Sequence, residues 1–265
     1  MLTTRYVPGS PVWLDISTPD LDAAARFYQA VLGWTHQPGG PEFGGYGLFQ
    51  LDGKTVAGGM TVPADQGPTA WNLYFQTTDA DRTAATVQSS GGTVIAEPMD
   101  VMDLGRMAVL ADPQGAGFAV WQPGTNKGLD LVDAPDALFW VELNTSDVPA
   151  AVAFYTALFG WGTTTMPMPG GGEGPGYTMI HPEGQTADDM FGGIAPLGDE
   201  GPLDRPTWLP YFLAQDCDAT VGKAREAGGT ITMEPVDMPG VGRFALIDDP
   251  TGARFFVMTP SPQQA

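Results

Sequence analysis

Cysteine is almost missing from this 265-residue sequence, and histidine nearly so. The single Cys217 has no partner for an internal disulfide, which removes small cross-linked scaffolds from consideration. It lies between Asp216 and Asp218, whose charge opposes a thiolate and argues for a bystander thiol rather than a nucleophile. Only His36 and His181 are present, so the imidazoles that dominate transition-metal sites are scarce. Cations are few as well: 11 Lys and Arg stand against 31 Asp and Glu, for a formal net charge of −20. Such a surface repels phosphate backbones and anionic lipids, so neither nucleic acid nor a membrane surface is an expected partner. No apolar run reaches the roughly 18 residues of a membrane-spanning helix. The stretch Met1–Ser10 has no apolar segment of signal-peptide length either. The expectation is a soluble cytoplasmic protein, monomer or homodimer.

Glycine and proline are abundant, at 36 and 25 residues, which predicts frequent turns and short helices. A hydrophobic fraction of 43% is enough for a real core. The chain carries an internal repeat. Trp13-Leu-Asp-Ile-Ser-Thr-Pro-Asp20, then Phe27-Tyr28 and Gly33-Trp34, returns as Trp140-Val-Glu-Leu-Asn-Thr-Ser-Asp147, Phe154-Tyr155 and Gly160-Trp161, at a constant offset of 127. Tyr46 pairs with Tyr177, and Gly58-Gly59 with Gly192-Gly193 at an offset of 134. Trp71, Tyr74, Phe75, Gly91-Gly92, Glu97-Pro98 and Asp112-Pro113 all recur at an offset of 137. Two modules follow, 1–128 and 129–265, divided in a Gly-, Pro- and Asp-rich stretch. The extra residues of the second copy fall mostly in 166–175, a loop that its composition makes flexible.

Each copy reads in one order. Alternating apolar residues near Val12–Thr18 predict a strand. Asp20 fits an N-cap, Phe27 and Val31 share one face of a helix of about three turns, and Gly33 ends it with positive φ. Strands are expected near Tyr46–Leu51, Val56–Met60 and Trp71–Thr77, a second helix near Ala80–Ser90, and closing strands near Met107–Ala111 and Gly117–Trp121.

The motif Asp20…Phe27-Tyr28…Leu32-Gly33-Trp34 with Asp112-Pro113-Gln114-Gly115, repeated as Asp147…Phe154-Tyr155…Phe159-Gly160-Trp161 with Asp249-Pro250-Thr251-Gly252, resembles the vicinal oxygen chelate superfamily, which includes glyoxalases, bleomycin resistance proteins and extradiol dioxygenases. The likeness covers nearly the whole chain and is strongest for tandem proteins labelled glyoxalase-like or hydroxylase in aromatic polyketide antibiotic pathways. It implies an α+β fold, tandem βαβββ modules whose mixed sheets curl into a cup with helices outside. It also implies a divalent metal in the cup, held at the start of the first strand, at the start of the third-strand unit and on the last strand of a module. Those positions are here Trp13 and Trp140, Asn72 and Leu209, Ala119 and Phe256. Five of the six offer a cation no lone pair, so neither metal nor cofactor is expected.

Strand alternation shows what replaces the metal. If Leu14 and Ile16 pack under the helices, then Trp13, Asp15 and Ser17 face the cup, as do Trp140, Glu142 and Asn144. The same parity turns Asn72, Tyr74 and Gln76 inward, with Tyr211, Trp121, Phe256 and Met258. This aromatic lining with a few polar groups has the composition of an organic-ligand pocket. The leading expectation is metal-free binding of a planar aromatic small molecule, an antibiotic or polyketide-like compound, by Trp13, Asp15, Asn72, Tyr74, Trp121, Trp140, Glu142, Tyr211, Phe256 and Met258. The alternative is an enzyme of aromatic secondary metabolism, of hydroxylase, isomerase or lyase type, with Asp15, Glu142, Tyr74 and Tyr211 as catalytic candidates. A metal-dependent glyoxalase or dioxygenase is a weaker third reading. Against all three, the same aromatics could simply close the cup against themselves or against a partner chain.

Overall fold

Aspartate caps each α-helix among the described residues. In the computed structural model, which describes residues 2–167, 176–198 and 202–261, the carboxylates of Asp20, Asp79, Asp147 and Asp216 each accept the backbone N–H three residues on, at 2.8–3.0 Å. Such caps stabilise a helix by about 1 kcal/mol each. The helices are α1 (Leu21–Leu32), α2 (Ala80–Ser89), α3 (Val148–Phe159) and α4 (Cys217–Glu226). Gly33 and Gly160 close α1 and α3 in the left-handed region, at φ 72° and 71°. From residue 168 onward, the loop expected over 166–175 lies outside the described residues.

Each helix sits inside a βαβββ repeat. The first is β1 (Pro11–Thr18), α1, β2 (Thr35–Gln37), β3 (Gly47–Leu51) and β4 (Lys54–Thr61). The second is β5 (Ala70–Gln76), α2, β6 (Thr93–Val101), β7 (Gly105–Ala111) and β8 (Gly117–Pro123). The third is β9 (Leu138–Thr145), α3, β10 (Gly162–Met166), β11 (Tyr177–His181) and β12 (Gly192–Pro196). The fourth is β13 (Thr207–Leu213), α4, β14 (Thr230–Met238), β15 (Gly242–Asp248) and β16 (Arg254–Pro260). Two eight-stranded sheets result, ordered β2-β3-β4-β1-β5-β8-β7-β6 and β10-β11-β12-β9-β13-β16-β15-β14. Both are mixed, since β1 pairs with β4 and β5 with β8 in parallel while β3–β4 and β7–β8 are antiparallel. This is the α+β architecture of tandem βαβββ modules read from the sequence, each module holding two repeats.

Strands β2 and β6 are not among the expected elements. Both are sheet edges, and β6 is exposed at alternate positions with Pro98 in its middle, so its residues carry no buried-face signal.

Backbone proximity gathers the chain into two compact units that cut across the repeat. The first holds Met1–Trp13, Asn72–Gly128 and Trp140–Leu209, and the second Leu14–Trp71, Leu129–Phe139 and Pro210–Ala265. Each unit thus joins one repeat from each module. In the first, Phe75 and Phe118 meet Phe154, Tyr155, Phe159 and Trp161 at ring-centroid separations of 5.3–6.5 Å. In the second, Tyr28 and Trp34 meet Phe255 and Phe212 at 5.6 and 5.1 Å.

The Phe-Tyr helix motif and the Asp-Pro-x-Gly turn are the two sides of this packing. In the first unit Tyr155 of α3 donates to Asp112 Oδ2 at 3.2 Å, and Trp208 Nε1 donates to the Tyr155 hydroxyl at 2.9 Å. Asp112 Oδ1 holds its own turn by accepting the N–H groups of Gln114 and Ala116. The second unit repeats part of the arrangement: Trp71 Nε1 donates to the Tyr28 hydroxyl at 3.0 Å and Asp249 Oδ1 accepts from Thr251 and Ala253, while Asp249 Oδ2 is buried without a hydrogen-bond partner among the described residues. Burial and the neighbouring aspartate charge push both phenols well above their ordinary pKa.

Candidate functional site

Parity on the first strand of each module is set by burial. Leu14, Ile16, Val141 and Leu143 are fully excluded from solvent, and the intervening Asp15 and Glu142 occupy the opposite strand face. They too are buried, at 2% and 8% exposure, so each carboxylate needs a partner.

In both copies a tyrosine supplies one. Tyr46 donates to Asp15 Oδ2 at 3.0 Å, within the second unit. Tyr177 donates to Glu142 Oε2 at 2.9 Å, within the first. The Glu142 pair is extended by Trp140 Nε1, which donates to the Tyr177 hydroxyl at 2.9 Å, and by Asn144 Nδ2, which donates to Glu142 Oε1 at 3.2 Å. Burial, then the negative charge of Glu142, pushes the Tyr177 phenol well above its ordinary pKa, against the opposing effect of the Trp140 N–H. Tyr177 therefore stays protonated and keeps its donor.

These tyrosines are not Tyr74 and Tyr211, the ones the sequence reading considered as donors. The signal for Tyr46 and Tyr177 was the repeat itself, which pairs them. Each ring crosses the strand beside the carboxylate's own strand at a glycine. Gly58 of β4 is in register with Asp15, and Gly193 of β12 with Glu142. That register corrects the sequence alignment: Gly58 corresponds to Gly193, an offset of 135 rather than 134.

The other expected residues are divided between the units. Trp13, Asn72, Tyr74, Trp121, Trp140 and Glu142 belong to the first, and Asp15, Tyr211, Phe256 and Met258 to the second. Tyr211 and Phe256 stack on each other at 4.3 Å and 15°, so part of the aromatic lining covers itself. The Trp121 indole N–H is tied to the Asn126 carbonyl at 3.1 Å. Two clefts open in the first unit. One, of about 310 Å³, is lined by Leu2, Arg5, Pro182 and Phe191, the other, of about 440 Å³, by Tyr6, Gln76, Gln122 and Lys127. Neither is lined by a member of the two pairs.

The donor set does not fit the divalent metal that the resemblance implies. At the corresponding positions stand indole, alkyl and phenyl groups with one amide, Asn72. Among the described residues no three His, Cys, Asp or Glu side chains group as a metal shell. Glu142 already accepts from Tyr177 and Asn144. His36 is partly buried with its Nε2 unpartnered, and burial lowers its pKa, while His181 Nδ1 lies 3.1 Å from the Pro182 carbonyl. Cys217 is buried with its thiol pushed up to about 11 by burial and by Asp218.

Four βαβββ repeats in two mixed sheets, with buried carboxylates on the strand face away from the core, define a paired-repeat protein of the glyoxalase type. Residues 12–121 match the family described as glyoxalase-like domain, and residues 137–257 match the glyoxalase/bleomycin resistance protein/dioxygenase superfamily. The chain belongs to that superfamily. It is 41% identical to the anthracycline biosynthesis protein DauV of Streptomyces sp. strain C5, and 40% identical to the anthracycline biosynthesis protein DnrV of Streptomyces peucetius. Each match covers 96% of this chain and 94% of the relative. Among solved structures, the 2,3-dioxygenase LapB of Pseudomonas sp. KL28 superposes with a TM-score of 0.63 at 14% identity, covering 98% of this chain and 96% of that one. At that identity the likeness shows the fold alone. Among the described residues, no helix is long and apolar enough to cross a membrane.

Proposed function

We propose that this chain recognises a planar, hydroxylated aromatic small molecule of antibiotic biosynthesis, of the anthracycline kind, and does so with its own side chains rather than through a metal. The carrying observation is the pair of buried phenol–carboxylate contacts, Tyr46–Asp15 and Tyr177–Glu142, on the strand face away from the core. Such a pair can meet a polyphenol. The carboxylate keeps lone pairs that accept from a ligand hydroxyl, while the phenol, its single O–H given to that carboxylate, fixes the acceptor's orientation. Trp140, whose indole N–H is bonded to the Tyr177 hydroxyl, supplies flat apolar area beside the Glu142 pair, and ring stacking adds about 0.5–1.5 kcal/mol per pair. The full-length likeness to two anthracycline biosynthesis proteins supports the ligand class.

The second reading, an acid–base enzyme on the same molecule, is favoured by the raised Tyr177 phenol beside Glu142. A protonated donor next to a carboxylate base is a pair able to move a proton on a substrate. The test titrates an anthracycline aglycone against the purified protein, following tryptophan fluorescence for binding and mass spectrometry for product. Saturable quenching with the aglycone unchanged supports binding, and a product of altered mass or isomeric form supports catalysis. Quenching is expected to survive a chelator. Loss of binding on chelation, restored by a divalent metal, would overturn the metal-free reading.

A further inference from the structure

Tyr46 and Tyr177 reach their carboxylates only because the intervening strand carries no side chain where they cross it. A Cβ added at Gly58 would overlap the Tyr46 hydroxyl and its ring carbons, and one at Gly193 would overlap those of Tyr177. Neither glycine has the positive φ that would demand glycine for backbone reasons. In both copies the glycine is the residue in register with the carboxylate. Its neighbours are not repeated: Ala57 faces Gly192 in the alignment, and Gly59 faces Ile194. What the two copies share at this strand is therefore the vacancy under the phenol.

We infer that Gly58 and Gly193 are positioning residues of the ligand-recognising pairs, acting by leaving the space through which each phenol is delivered to its carboxylate. This rests on the proposed reading of those pairs. A glycine covered by an aromatic ring can also serve a sheet merely by having its bare backbone shielded. The two roles differ in what a methyl group does. In the structural role Gly→Ala changes stability alone. In the positioning role it displaces one hydroxyl from one carboxylate, and everything downstream passes through that hydroxyl.

The experiment compares Gly58→Ala, Tyr46→Phe and the double variant, with an anthracycline aglycone as probe. Gly58→Ala and Tyr46→Phe are each expected to weaken binding about tenfold to a hundredfold, the usual effect of losing one buried hydrogen-bonding group. The double variant should bind no more weakly than either single one, because the glycine acts only through the hydroxyl. If Gly58→Ala weakens binding equally with and without the Tyr46 hydroxyl, the inference is overturned. A ligand-free arm separates this from failure of the functional reading. In the native protein burial, then the Glu142 charge, pushes the Tyr177 phenol well above its ordinary range. In Gly193→Ala the phenol leaves Glu142, so its titration should move down while burial still holds it above the ordinary range, read by near-ultraviolet phenolate absorbance. An unchanged titration overturns the inference even if no aglycone binds. Should Gly58→Ala fail to fold, Tyr46→Ala is compared with Tyr46→Ala plus Gly58→Ala. Equal stability shows that the methyl is harmful only when the ring is present, and a further loss overturns the inference.

Discussion

Both oxygens of Glu142 are engaged inside the chain, one by Tyr177 and one by Asn144, and the Tyr177 hydroxyl is itself held by Trp140. A buried carboxylate held in this way is an acceptor at fixed orientation, which suits it to reading a ligand hydroxyl. Glu142→Gln and Asp15→Asn keep the volume but exchange an acceptor-only group for one that also donates. Each is expected to weaken binding of an anthracycline aglycone about tenfold to a hundredfold, with circular dichroism unchanged. Unaltered affinity in both would make the carboxylates bystanders and leave recognition to the rings. The carboxylates were legible because strand alternation needs only neighbours, Leu14 and Ile16 in one copy, Val141 and Leu143 in the other. Their tyrosines were not assigned, because Tyr46 reaches Asp15 across another strand. That reach depends on sheet register, which the glycine pattern alone left one residue out.

Elements were read well where the chain itself encodes a boundary and poorly where solvent surrounds it. Asp20 and Gly33 cap α1 as their chemistry requires, and Phe27 and Val31 share its buried face. Edge strand β6 escaped because neither face is fully buried. The family motif acquires a physical meaning at this scale: Tyr155 of one element ties to the Asp112 turn of another. Tyr155→Phe strips the Trp208 N–H and Asp112 Oδ2 of that partner and should cost about 1–3 kcal/mol in urea unfolding. Asp112 carries its own signature. Burial raises its pKa despite the turn N–H groups and Tyr155, so the folded state holds that proton more tightly than the unfolded chain. Its contribution to stability is complete below the unfolded value, about 4, and is lost as pH rises through the higher folded value. Asp112→Asn should therefore remove part of the fall in stability between about pH 4 and neutrality, seen as a smaller difference between the two urea midpoints. An unchanged difference would show that the turn stays hydrated.

At the scale of the molecule, the repeat visible in the sequence and the packing in space follow different divisions. The two sequence repeats, matched over residues 12–121 and 137–257, are copies of one fold, yet each compact unit takes one βαβββ repeat from each. Repeat alignment cannot show this, because two copies align equally well whichever partner each one packs against. The consequence is that a module alone is a poor folding unit. Residues 1–128 by themselves keep Phe75 and Phe118 but lose Tyr155, Phe159 and Trp161 from around them, and keep Tyr28 and Trp34 but lose Phe212 and Phe255. Burying a large apolar side chain contributes about 1.5–3 kcal/mol. Exposing several at once therefore outweighs the roughly 5–15 kcal/mol by which a domain is stable. The acidic composition adds self-repulsion that no missing core can offset. Expressed separately, 1–128 and 129–265 are each expected to lack dispersed near-ultraviolet circular dichroism and to bind a hydrophobic dye. Mixed or co-expressed, they should assemble one-to-one and regain the spectrum of the intact chain. A cooperative thermal transition in 1–128 alone would show that the two repeats of one module suffice, and that the packing between modules is only an addition to an already stable core.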